Sequence, residues 1–112
     1  MSIQPSADAA YRAALLGPGS ALTEMTATIS GRPARSLPNA MTALKGGALA
    51  GLEAPDYPIA YDASKSLTAA AKMNHEHGFA VQWAGQGAPL VRPMPAADLM
   101  SVLRDELTQA LQ

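Results

Sequence analysis

Tyr57, Tyr61 and Lys65 stand four residues apart in the segment Tyr57-Pro58-Ile59-Ala60-Tyr61-Asp62-Ala63-Ser64-Lys65. On a helix a four-residue step returns a side chain to nearly the same face, so Tyr61 and Lys65 are neighbours one turn apart. Tyr57, at or just before the helix start, can align with them. A phenol beside an ammonium is an oxygen- and anion-binding pair, because both donate hydrogen bonds and one carries a positive charge. The row takes two of the three tyrosines of an aromatic-poor chain. The residues alone also allow an ordinary surface row in which the tyrosines pack an edge.

A second cluster is Trp83-Ala84-Gly85-Gln86-Gly87, which joins the single tryptophan to two glycines and a glutamine. Glycines let a backbone approach a flat ligand closely. Trp83 can stack on such a ligand, and Gln86 can both donate to it and accept from it. The alternative is a tryptophan that anchors a loop to the core. His75 and His77 sit two apart in Asn74-His75-Glu76-His77-Gly78. Two ligands do not make a metal site, and with no cysteine in the chain they read as a solvated helix end. The glycine-rich spots do not continue as dinucleotide or phosphate-loop motifs, and no nucleophile elbow is present.

The elements that must position these residues are short, because nine prolines and nine glycines punctuate 112 residues. A first helix is expected from an N-cap at Ser6 through Leu16, with Tyr11, Ala14 and Leu15 on one face. Gly17 should end it in a left-handed cap before Pro18. Thr23 to Ile29 alternates Met25, Ala27 and Ile29 with polar residues and reads as the one clear strand, without an evident partner. The arginine-bearing stretch Ser30–Pro38 reads as a turn. A short helix is expected over Asn39–Leu44.

A longer helix should run from Pro58 to about Met73, with a core-facing stripe of Ile59, Ala63, Leu67, Ala70 and Ala71. Phe79–Trp83 reads as a short extended piece inside a loop. A last helix should open at Pro95, with Asp98 in its first turn and a seam of Leu99, Val102, Leu103 and Leu107. The fold class is mostly α with one or two short strands.

Composition bounds the rest. The chain has 48% hydrophobic residues, 24 alanines and a net charge of -1. This is a globular composition with a thin, small-residue core. It lacks the basic field that nucleic acid requires. The N-terminal stretch carries no signal peptide pattern and no run approaches the length of a membrane span, so a cytoplasmic protein is expected. Without cysteine there is no disulfide, thiolate zinc site or cysteine nucleophile.

Four blocks in order, Ser30-Gly31-Arg32-Pro33-Ala34-Arg35, Tyr57 to Lys65, Trp83 to Gly87, and Pro95-Ala96-Ala97-Asp98-Leu99, resemble the C-terminal third of nitronate monooxygenases, formerly 2-nitropropane dioxygenases. The likeness begins near Ala10 and runs through most of the chain. It implies the C-terminal lid segment of an FMN-dependent (β/α)-barrel oxidoreductase, a flavoprotein that oxidises alkyl nitronates such as propionate 3-nitronate with O2. It also implies catalytic positions at Tyr57, Tyr61 and Lys65, and cofactor contacts at Trp83, Gly85, Gln86 and Gly87.

At 112 residues the barrel itself is expected to be largely absent, since such barrels need about 250. The chain thus reads as the tail of an enzyme from a truncated gene, a mispredicted start or a split subunit. By itself it is expected to be inactive and not to hold FMN, and to require a missing barrel portion or to self-associate. A non-catalytic helical interaction module that uses the Leu99–Leu107 seam is the second reading.

Overall fold

The computed structural model describes residues 8–47 and 49–112. Helix α1 spans Ala9–Leu16, strands β1 and β2 span Glu24–Thr26 and Ala34–Ser36, and the one-turn helix α2 spans Ala40–Ala43. Two longer helices follow, α3 over Ile59–Met73 and α4 over Ala96–Ala110. Short 3-10 turns cover Pro18–Leu22, Leu44–Gly46 and Ala88–Leu90.

The expected N-cap Ser6 lies outside the described residues. The cap seen on α1 is Asp8, whose carboxylate accepts from the Tyr11 amide at 2.8 Å. The helix does stop at Gly17, but not through a left-handed glycine. Gly17 is extended at φ -87° and ψ 178°, the conformation that a following proline imposes by clashing with its neighbour's backbone. Pro18 then starts a 3-10 turn.

The strand is shorter than its alternation implied and it has a partner. β1 pairs antiparallel with β2, matching Glu24 with Ser36, Met25 with Arg35 and Thr26 with Ala34. The stretch read as an arginine turn therefore supplies the second strand. β2 is also bridged on its other side, where Ser36 pairs antiparallel with Trp83. The Leu37 amide donates to the Gln82 carbonyl at 2.9 Å and the Ala84 amide to the Arg35 carbonyl at 3.2 Å. Ladder bonds on both sides satisfy the backbone of β2. Met25 does not point inward as alternation required; it is 56% exposed.

The core sits beneath this small sheet and consists of Ile29, Leu37, Met41, Ala60 and Ala80. Asn39 ties it together. Its side chain accepts from the Thr42 amide to cap α2, and its amide nitrogen donates at 3.0 Å to both the Ala80 carbonyl and Gln82 Oε1. Thr42 completes the capping box by accepting from the Asn39 amide.

α3 has the expected bounds but a different inward face. Ala60 and Ser64 are buried, whereas Ile59 is 65% and Leu67 41% exposed, and Ala63 and Ala70 are exposed too. Only Ala71 of the expected stripe is half-buried. Close approach selects the small residues: the Ser64 hydroxyl donates to the Ile29 carbonyl at 2.5 Å, and a bulky side chain there would hold helix and turn apart. The α4 seam is likewise open. Leu99 and Val102 are half-buried, while Leu103 and Leu107 are exposed. An Arg92–Glu106 ion pair links α4 to the segment before it. No helix among the described residues is long and apolar enough to cross a membrane.

Candidate functional site

Three links hold α3 and the segment that enters it against the 27–32 turn. Ser64 donates to Ile29. Gly31 lies at φ +85°, and a Cβ built there would come within 2.4 Å of the Pro55 carbonyl oxygen and 3.0 Å of the Tyr57 nitrogen. Only glycine permits so close a backbone crossing in that conformation. The third link is the Arg32 guanidinium, which lies 4.8 Å from the centroid of the Tyr57 ring.

The structure brings Tyr57, Tyr61 and Lys65 together as their spacing predicts. The two tyrosine rings stack with centroids 6.4 Å apart at 30°. The Lys65 ammonium lies 4.5 Å from the Tyr61 centroid. Both contacts fall within the range where ring faces attract each other and a cation. Tyr61 and Lys65 open onto a shallow cavity of about 310 Å³, shared with Thr68, Lys72 and Val81. Thr68 donates to the Phe79 carbonyl at 2.8 Å, and Lys72 is paired with Asp8 at 3.0 Å. Lys65 makes no ion pair among the described residues. The row therefore offers an anion one uncommitted ammonium flanked by a phenol.

Trp83, Gly85, Gln86 and Gly87 are placed differently. Trp83 is half-buried and its backbone does the anchoring, through the bridge to Ser36 and through its carbonyl, which accepts from the Tyr11 hydroxyl. Burial at this contact pushes the Tyr11 phenol above its ordinary pKa. Gly85, Gln86 and Gly87 are exposed, and a Cβ on either glycine would meet nothing within 4 Å. Neither glycine marks a tight cradle. No hydrogen bond or ring contact among the described residues joins this loop to the tyrosine row. These four residues do not by themselves enclose a flavin.

His75 and His77 are exposed at the end of α3, with His75 at φ +58°. Among the described residues no group of three or more side chains could hold a metal ion. A larger depression of about 470 Å³ lies across the 27–31 turn, bordered by Thr28, Lys45 and Asp56. Thr28 Oγ1 is buried without a hydrogen-bond partner among the described residues.

Sequence reasoning missed Arg32 and Tyr11. The signal for Arg32 was its place directly after a glycine within Ser30–Arg35. For Tyr11 there was no local signal, since its partner is 72 residues away.

No family model matches the chain. It is 52% identical over 105 residues to a nitronate monooxygenase of Pseudomonas aeruginosa, covering 93% of this chain and 29% of that protein. It is 50% identical over 109 residues to a nitronate monooxygenase of Paraburkholderia phytofirmans, covering 97% of this chain and 30% of that protein. Among solved structures it superposes on a nitroalkane oxidase from Streptomyces ansochromogenes with a TM-score of 0.77 and 35% identity, over 93% of this chain and 29% of the other. The chain is thus related to nitronate monooxygenases along nearly all of its length, spans just under a third of theirs, and resembles part of a larger enzyme.

Proposed function

We propose, from that kinship, that the chain supplies one portion of an enzyme that oxidises alkyl nitronates such as propionate 3-nitronate with O2. The stacked row ending in Lys65 carries this reading, since it sets an unpaired ammonium and a phenol at one cavity. A nitronate is an anion, and propionate 3-nitronate carries a second negative charge on its carboxylate. Lys65 Nζ would neutralise one of these charges, the Tyr61 and Tyr57 hydroxyls would donate to nitronate oxygens, and the ring faces would exclude water from that side.

The FMN dependence of such enzymes belongs to the same proposal. Trp83, Gly85, Gln86 and Gly87 would form one wall for the flavin. The remainder of its site would lie in a barrel portion that this chain does not span. The chain alone is inactive in this reading, acting in the cytoplasm only with its complement.

Grafting residues 57–65 into the matching place of the Pseudomonas aeruginosa relative, followed by O2-uptake assays on propionate 3-nitronate, tests the row. Lys65→Met should cost about 1.5–3 kcal/mol in kcat/KM, the scale for a charged hydrogen bond. Lys65 is exposed, so its Tm should barely change. Tyr61→Phe should show a smaller loss, because only a hydroxyl goes. Full activity in Lys65→Met would leave the row structural. It would then favour the second reading, a helical interaction module, for which the exposed Leu103 and Leu107 of α4 speak.

A further inference from the structure

We propose that Arg32 is a positioning residue of the Tyr57–Tyr61–Lys65 row, holding the Tyr57 ring in the orientation that stacks on Tyr61; the inference rests on the function proposed above. Tyr57 precedes α3 and is 47% exposed, so helix packing does not fix its rotamer. Its two ring contacts are Tyr61 and the Arg32 guanidinium. A planar guanidinium suits a ring face better than an ammonium does.

The backbone that carries Arg32 is itself built to aim it. The Gly31 amide donates to the Ala27 carbonyl at 2.9 Å. The Ser30 hydroxyl donates to the Arg32 carbonyl at 3.1 Å and accepts from the Arg32 amide at 3.3 Å. The same turn is pinned to α3 by Ser64 and pressed onto Pro55 and Tyr57 at Gly31. The turn and the tyrosine segment are therefore one unit, and Arg32 projects from it onto Tyr57. Among the described residues Arg32 makes no ion pair, so no carboxylate competes with the ring for its charge. The row becomes Arg32–Tyr57–Tyr61–Lys65, with a cation at each end. An anion held by the two phenol hydroxyls would have a cation at each end of the row.

The test uses the full chain with 13C-labelled tyrosine rings, comparing parent, Arg32→Gln and Arg32→Lys by NMR and by Tm. Propionate 3-nitronate is the titrated probe. Arg32→Gln should move the Tyr57 ring signals, leave Tm within error and weaken nitronate binding about two- to fivefold, the range for an exposed cation–ring contact. Arg32→Lys should recover part of both changes. Arg32→Gln with unchanged Tyr57 signals and unchanged affinity overturns the inference, as does a loss that tracks a fall in Tm in both variants. If the parent rings ignore the nitronate while Arg32→Gln still shifts Tyr57, nitronate binding by this chain itself is ruled out and the hold of Arg32 on Tyr57 stands.

Discussion

Gly31 shows how much a single residue can decide. It sits where the 27–32 turn crosses the segment entering α3, at a positive φ and with the Pro55 carbonyl where a side chain would go. Gly31→Ala meets both a backbone penalty and a clash with main-chain atoms that cannot rotate away. The expected cost is about 2–4 kcal/mol, read as a fall in the urea midpoint. Gly85→Ala, placed in open space, is the control and should stay near the parent. A Gly31→Ala variant as stable as the parent would show that the turn does not bear on α3 as described. Tyr57, Tyr61 and Lys65 were legible because a four-residue period fixes their mutual placement without any tertiary knowledge. The Arg32 contact was not, because it depends on a crossing between segments 25 residues apart.

At the scale of elements, boundaries were easier to read than faces. Pro58 and Pro95 mark the starts of α3 and α4 through chemistry local to the chain. The inward face of α3 is set by what it packs on. The 29–31 turn comes so close that Ala60 and Ser64 line the contact, and the large apolar side chains that define a stripe in sequence lie outside it. β2 was missed because three residues carrying an arginine, bonded on both edges, show no alternation to detect.

The N-terminal end of α1 makes a prediction with a definite sign. The Asp8 carboxyl is held below its ordinary pKa, first by the Tyr11 amide and then by Lys72. A depressed carboxyl pKa stabilises the fold fully above the ordinary carboxylate value of about 4, and the gain is lost as pH falls through the lower folded value. Asp8→Ala should cost about 1 kcal/mol near neutral pH, typical of a lost N-cap. Asp8→Asn keeps the cap oxygen and removes only the charge, so it should lose less. Thermal melts should show the gap between parent and Asp8→Asn holding at neutral pH and closing only as pH falls below the ordinary carboxylate value. A gap that stays constant as pH falls would assign the stabilisation to the neutral cap alone.

The whole molecule is under-covered for its mass. Its radius of gyration is 16.6 Å, against about 13 Å for a compact chain of this length. It exposes 7892 Å², where a folded monomer of 11.5 kDa exposes about 5,800 Å². The difference exceeds the roughly 800 Å² that one partner covers in an ordinary protein–protein interface. Ile59, Leu67, Leu103 and Leu107 all contribute to that surface. Exposed apolar side chains clustered on a surface promote association. Sedimentation velocity of the purified chain should show a weight-average mass that rises with concentration. A compact monomer throughout would show that the open faces tolerate water.

The bond from Tyr11 to the Trp83 carbonyl has a consequence in time. α1 has eight residues, too few to persist in water without tertiary support. Its described anchors, Lys72 for Asp8 and Trp83 for Tyr11, lie far downstream. At roughly 5–20 residues per second of synthesis, the 72 residues separating Tyr11 from Trp83 take about 4–14 s to make. For that interval α1 lacks both of these anchors, and its apolar side chains are open to chaperones.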